Sequence, residues 1–376
     1  MLLNKITQST FTFNFFRSSC ILLFTVFSSL AYCIEESSLA DPEDPEDRIQ
    51  EWRNFNINTV NDYIIPIYKE LNRSAQAMNT SINNLCSNPQ NISGALTIAR
   101  KDFHQTMDAW QFIQNIQFGP IQILMRNYTL QFWPDKKNHV SKHLAIMLET
   151  KDPKTLTDAE FNKASVSIKG LPAIERFLFE EDETKQLNAK SFHCQALMKI
   201  GAYTANSSKE LVDEWQDMKN QFTNATQIDG YFEDDIEAST TLLKALIEPL
   251  EIIRDLKLLR PLGSEFGQQK MKRLESWRSQ RSLRNIQINI ESLSRFYTGL
   301  RNILGSRENT LINEKFNQIL IQISIINSPI ETSIETKIGF KEIKHLSDSL
   351  KTLHALLENA VSNQGIHLGF NSRDGD

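Results

Sequence analysis

The sequence predicts an all-α protein. Three observations carry that reading. Apolar residues recur at alternating spacings of four and three along several stretches, which puts one apolar stripe on each helix. Only 13 glycines and 11 prolines punctuate 376 residues. No run of alternating apolar residues bounded by turn signals stands out, so no strand is expected.

The N-terminal segment, residues 1–33, reads as an export signal. Lys5 and Arg17 supply basic charge, and an apolar run from Cys20 to Leu30 follows. That run is short for a membrane span. Small residues at Ser29 and Ala31 offer a cleavage site near Ala31 to Cys33. A lipoprotein with Cys33 as the acylated residue is the alternative, against which the bulky Tyr32 argues; an uncleaved anchor ranks third. The chain is therefore expected to be exported, to the periplasm or cell envelope, and to meet the membrane only through a lipid anchor. Residues 34–48 contain ADPEDPED and read as a solvated acidic linker.

Two helical halves are expected next, 49–225 and 226–370, with a tail at 371–376. Residues Leu242, Leu246, Pro249, Ile253 and Leu256 form one stripe. Ile286, Ile290, Leu293, Tyr297, Leu300 and Leu304 form a second, and Ile343, Leu346, Leu350, Leu353 and Leu357 a third. Such stripes suit antiparallel bundles. Pro249 lies inside its stripe and is expected to kink or break that helix. From about 119 to 190 the pattern is interrupted by Gly119-Pro120, Trp133-Pro134-Asp135, Asp152-Pro153 and Gly170-Leu171-Pro172. Loops and short helices should meet there, and a site is sought there. A second interruption runs from Leu262 to Gly267.

Composition bounds function. The chain is 40% hydrophobic and 23% charged with a net charge of −5. No dense basic stripe with interleaved aromatics appears, so nucleic acid is not an expected partner. Outside the signal the cysteines are Cys86 and Cys194. In an oxidising compartment such a pair favours a disulfide over two buried thiols. The sequence holds no nucleophile elbow, P-loop, dinucleotide fingerprint, HExxH or CxxC.

The order of landmarks resembles the imelysin-like family over most of the chain. Cys86 ends a helix, and Trp110 lies on the next, before Gly119-Pro120. Phe132-Trp133-Pro134-Asp135 and Ile168-Lys169-Gly170-Leu171-Pro172-Ala173-Ile174-Glu175-Arg176-Phe177-Leu178-Phe179 follow. Cys194, Trp215, Leu258 to Gly263 and Glu275-Ser276-Trp277-Arg278-Ser279 complete the series. The resemblance implies an envelope protein of two related bundle-like halves, associated with iron uptake. It also implies a signature motif, GxHxxE, proposed in the family as the metal site of a peptidase.

That motif falls on Gly170, Pro172 and Glu175, and the histidine position is proline. Imidazole offers a nitrogen lone pair to a metal and proline offers none. A non-catalytic binding protein for iron or haem is thereby favoured over a metal-dependent peptidase with a degenerate motif. A helical scaffold for an envelope protein partner is the third reading. Any ligand, whether iron, haem or another divalent metal, is expected near Trp133, Asp135 and Glu175. Glu175 is alternatively a first-turn carboxylate at the helix dipole or a salt-bridge residue. His139 and His143 are four apart and would share a helix face, although Lys136, Lys137 and Lys142 beside them oppose a cation. His104 and Asp108 share that spacing and read as a surface or interhelical hydrogen-bond pair. Trp110, Trp133 and Trp215 read as core residues before pocket walls.

Overall fold

The computed structural model describes residues 45–87, 92–225, 230–326 and 329–369. The export signal, including Cys33, and the 371–376 tail lie outside the described residues. The described residues all fall in one compact unit. The structure is 78% helical, with no strand among the described residues, as the stripes predict. No helix among the described residues is long and apolar enough to cross a membrane.

Among the described residues, ten helices of nine residues or more carry the fold. They are α1 (Pro45–Asn58), α2 (Ile65–Ser87), α3 (Ile92–Ile113), α4 (His139–Thr150) and α5 (Leu171–Phe179). Then come α6 (Phe192–Thr223), α7 (Asp235–Glu251), α8 (Ser282–Tyr297), α9 (Ser306–Ile325) and α10 (Lys337–Ser362). The acidic linker expected to reach residue 48 gives way to α1 at Pro45, with Glu46 and Asp47 in the helix's first turn. Acids there face the positive end of the helix dipole, so the same residues that read as solvated linker suit a helix start.

α2 packs on both α3 and α6. α10 packs on α7 and α9, while α8 lies against α3 and α9. The stripe residues of α8 and α10 are buried throughout, from Ile286 to Tyr297 and from Ile343 to Leu357. Cys86, near the end of α2, and Cys194, in the first turn of α6, form a disulfide with Cα atoms 5.4 Å apart.

Prolines inside helices are accommodated in one way at two places. Pro249 has no N–H to donate to Ala245, and Asn115 Nδ2 donates to that carbonyl instead at 3.1 Å. Pro66 cannot donate to Asp62, whose carbonyl accepts from Arg295 at 3.2 Å. Each proline also adjoins a π-helical stretch, Thr59–Ile64 or Ile252–Leu259. The second stretch moves the helical register. Leu256, expected on the buried stripe, is only half-buried, while Lys257 and Leu258 are buried instead. A wider turn holds extra residues, so spacing counted at 3.6 per turn stops pointing inward.

Candidate functional site

The signature segment is fixed by backbone before it carries any chemistry. Gly170 has φ +71° and precedes α5. A Cβ there would sit 2.0 Å from the Thr129 carbonyl oxygen and 2.5 Å from that of Leu130, so only glycine fits. Pro172 occupies the first turn of α5, where an absent N–H costs nothing.

Glu175 lies one turn deeper than expected, since the first turn of α5 holds no acid. It neither caps its own helix nor pairs with Arg176, which binds Glu180 and Glu183. Glu175 is buried, and its Oε1 accepts from the Ser279 amide at 2.9 Å and the Ser279 hydroxyl at 2.6 Å. Burial raises its pKa above the ordinary carboxylate value, against the Ser279 hydrogen bonds and the charge of Arg278. Ser276 and Gln280 bracket Ser279 at φ +53° and +55°. Left-handed backbone at two such residues costs about 1 kcal/mol each or more. The loop holds that geometry while presenting Ser279 to the signature helix.

Trp133, Asp135 and Glu175 line one cleft of about 670 Å³, together with Pro172, Trp277 and Arg278. The structure thus brings three of the sequence-chosen residues together. Asp135 is engaged: its two oxygens accept the amides of His139 at 2.8 Å and Val140 at 2.9 Å, at the start of α4. The Trp133–Pro134 peptide is cis. His139 and His143 do share a helix face, with rings 5.1 Å apart, but neither lines the cleft. His143 Nδ1 instead meets the hydroxyls of Ser165 and Ser167 at 3.1 and 2.9 Å.

A second cleft, of about 620 Å³, shares Gln131, Trp133 and Pro134 with the first. At its floor lies a polar network that sequence reasoning missed. Lys257 and Glu275 form a buried ion pair at 2.8 Å. The ammonium also donates toward Gln111, Gln114 and Asn289 at 2.7–2.8 Å. The other Glu275 oxygen accepts from Gln131 at 3.0 Å, and Gln131 accepts from Trp110 Nε1 at 2.5 Å. Burial pulls the Lys257 pKa below its ordinary value, and Glu275 opposes that. Amide side chains read as surface in a sequence; their convergence is a property of α3 meeting α8.

His104 and Asp108 both reach from α3 to Arg281, at the start of α8. Arg281 donates to His104 Nδ1 at 3.0 Å and pairs with Asp108, which also binds Arg284. An imidazole accepting from arginine is neutral, consistent with a pKa pushed down to about 4 by burial and then by Arg281. Trp110 and Trp215 are core residues, while Trp133 is half-buried at both clefts.

The metal site implied by the GxHxxE motif does not fit these residues. Proline stands for the imidazole, Glu175 Oε1 holds Ser279, and Asp135 holds backbone amides. Among the described residues no three His, Cys, Asp or Glu side chains converge to hold an ion.

The imelysin family model matches residues 64–357. The chain belongs to the imelysin family. Among solved structures it is similar to an imelysin-like protein from Psychrobacter arcticum 273-4, at 17% identity and a TM-score of 0.71, covering 86% of this chain and 98% of that one. It is also similar to a protein described as an iron-regulated protein A precursor from Parabacteroides distasonis ATCC 8503, at 14% identity and a TM-score of 0.68, covering 83% and 95%. At those identities the likeness is one of fold. No curated protein matches the chain.

Proposed function

We propose that this imelysin-family chain is an exported cell-envelope binding protein that takes part in iron or haem acquisition without cleaving peptides. The observation that carries the reading is the signature helix: proline stands where the family motif has histidine, and the remaining acid, Glu175, is tied to the Ser279 loop. A catalytic zinc needs three protein ligands and an open position. The two histidines of α4 lie outside the cleft that Glu175 lines. The disulfide supports export, because such bonds persist in oxidising compartments. The iron connection is supported by the family and by the printed description of one structural neighbour.

The test measures haem and iron binding on the mature chain, together with peptide cleavage in the presence of zinc. Stoichiometric binding that weakens in Trp133→Ala, without cleavage, is the expected result. Zinc-dependent cleavage that disappears in Glu175→Ala would make the protein a peptidase. Binding of neither iron, haem nor any chelate would remove the ligand and leave a helical scaffold.

A further inference from the structure

The cleft between Trp133 and Trp277 is cationic, in a chain whose net charge is −5. Lys136, Lys137, Arg260, Lys272 and Arg273 line it, and none makes an ion pair or side-chain hydrogen bond among the described residues. Lys272 lies 5.9 Å from the Trp277 ring centroid. The carboxylates that share the cleft are already engaged. Asp135 holds the α4 amides, Glu180 pairs with Arg176 and Arg278, and one Glu175 oxygen holds Ser279. A bare cation entering this space meets uncompensated positive charge on several sides. An anion meets donors with nothing else to bind.

We propose that the cleft takes a polycarboxylate anion, free or chelating a metal ion, rather than a bare metal cation. The proposal deepens, and rests on, the binding-protein reading above. The unpaired cations come from three separate segments, at 136–137, 260 and 272–273, around about 670 Å³. A ligand with several spaced carboxylates can meet cations of more than one segment at once. Arginine's planar fork matches a carboxylate edge with two parallel hydrogen bonds. Glu175 fits the same occupant. It lines the same cleft, and its second oxygen has no protein partner among the described residues.

Calorimetric titration of the mature chain with citrate, ferric citrate, inorganic phosphate and anaerobic Fe²⁺ tests this. Citrate or ferric citrate should bind, and the double variant Arg260→Ala/Arg273→Ala should weaken that binding about tenfold or more. Tighter binding of ferric citrate than citrate makes the chelate the occupant; equal binding makes it the free acid. The variant removes no ion pair or side-chain hydrogen bond among the described residues, so its melting temperature should stay close to that of wild type. Should it fail to fold, the wild type still decides: affinity should fall as salt rises from roughly 50 to 300 mM, and insensitivity to salt overturns the proposal. Phosphate binding as tightly as citrate overturns it as well. Fe²⁺ binding without citrate binding overturns the anion while leaving the binding-protein reading intact. Binding of no probe, haem included, overturns both.

Discussion

The two clefts beside Trp133 are similar in size and opposite in construction. The 620 Å³ cleft rests on Lys257, Glu275 and a ring of amides whose donors and acceptors satisfy one another. The 670 Å³ cleft carries, beside the paired Arg176 and Arg278, five cations with no ion pair or side-chain hydrogen bond among the described residues. A polar network closed on itself rigidifies a core and has little left to offer a ligand. Side chains without partners add little to stability and are free for recognition. Both arrangements share Gln131, Trp133 and Pro134, so the rigid one can hold one wall of the other.

The comparison breaks most visibly at Lys257. Lys257→Met should leave Glu275 buried without its counter-charge and cost about 3–5 kcal/mol by denaturant unfolding. A loss within about 1 kcal/mol would mean the network is not closed as described. A smaller but still large effect is expected at Gly170→Ala. The added methyl meets the Thr129 carbonyl at a left-handed residue, and about 2–4 kcal/mol should be lost. A near-neutral result would show that the turn before α5 can move away.

The smallest effect is the pH dependence carried by Glu175. Its folded pKa lies above the ordinary value of 4.5, so the folded state keeps a proton that the unfolded chain has released. Its favourable contribution is full below about 4.5 and falls as pH rises through the raised value. Glu175→Gln keeps an acceptor for Ser279 and should flatten that decline. Glu331 is shifted in the same direction and should keep part of the slope. An undiminished slope in the variant would remove Glu175 as its source.

Periodicity made the helices legible. The stripes of α8 and α10 needed only a constant turn, and burial follows them residue by residue. The same reasoning failed at Leu256, because the π-helical stretch after Pro249 changes the residues per turn. The placing of Trp133, Asp135 and Glu175 around one cleft was legible through interruptions and motif order. What Glu175 binds was not, because Ser279 lies 104 residues away on a loop held by two left-handed residues. Lys257 was illegible for a related reason. A lysine in the run Asp255-Leu256-Lys257-Leu258-Leu259 reads as solvated until α8 and the Glu275 loop close over it. The five unpaired cations come from segments far apart in sequence, and only the fold gathers them.

The most direct test of the central claim is to locate iron in crystals grown with ferric citrate, by anomalous scattering at the iron edge. Expected is citrate density against the cations of the cleft lined by Trp133, Glu175 and Trp277, with an iron peak within it where the chelate is the occupant. An iron peak held directly by His139 and His143, or a cleft with neither citrate nor iron, would contradict it.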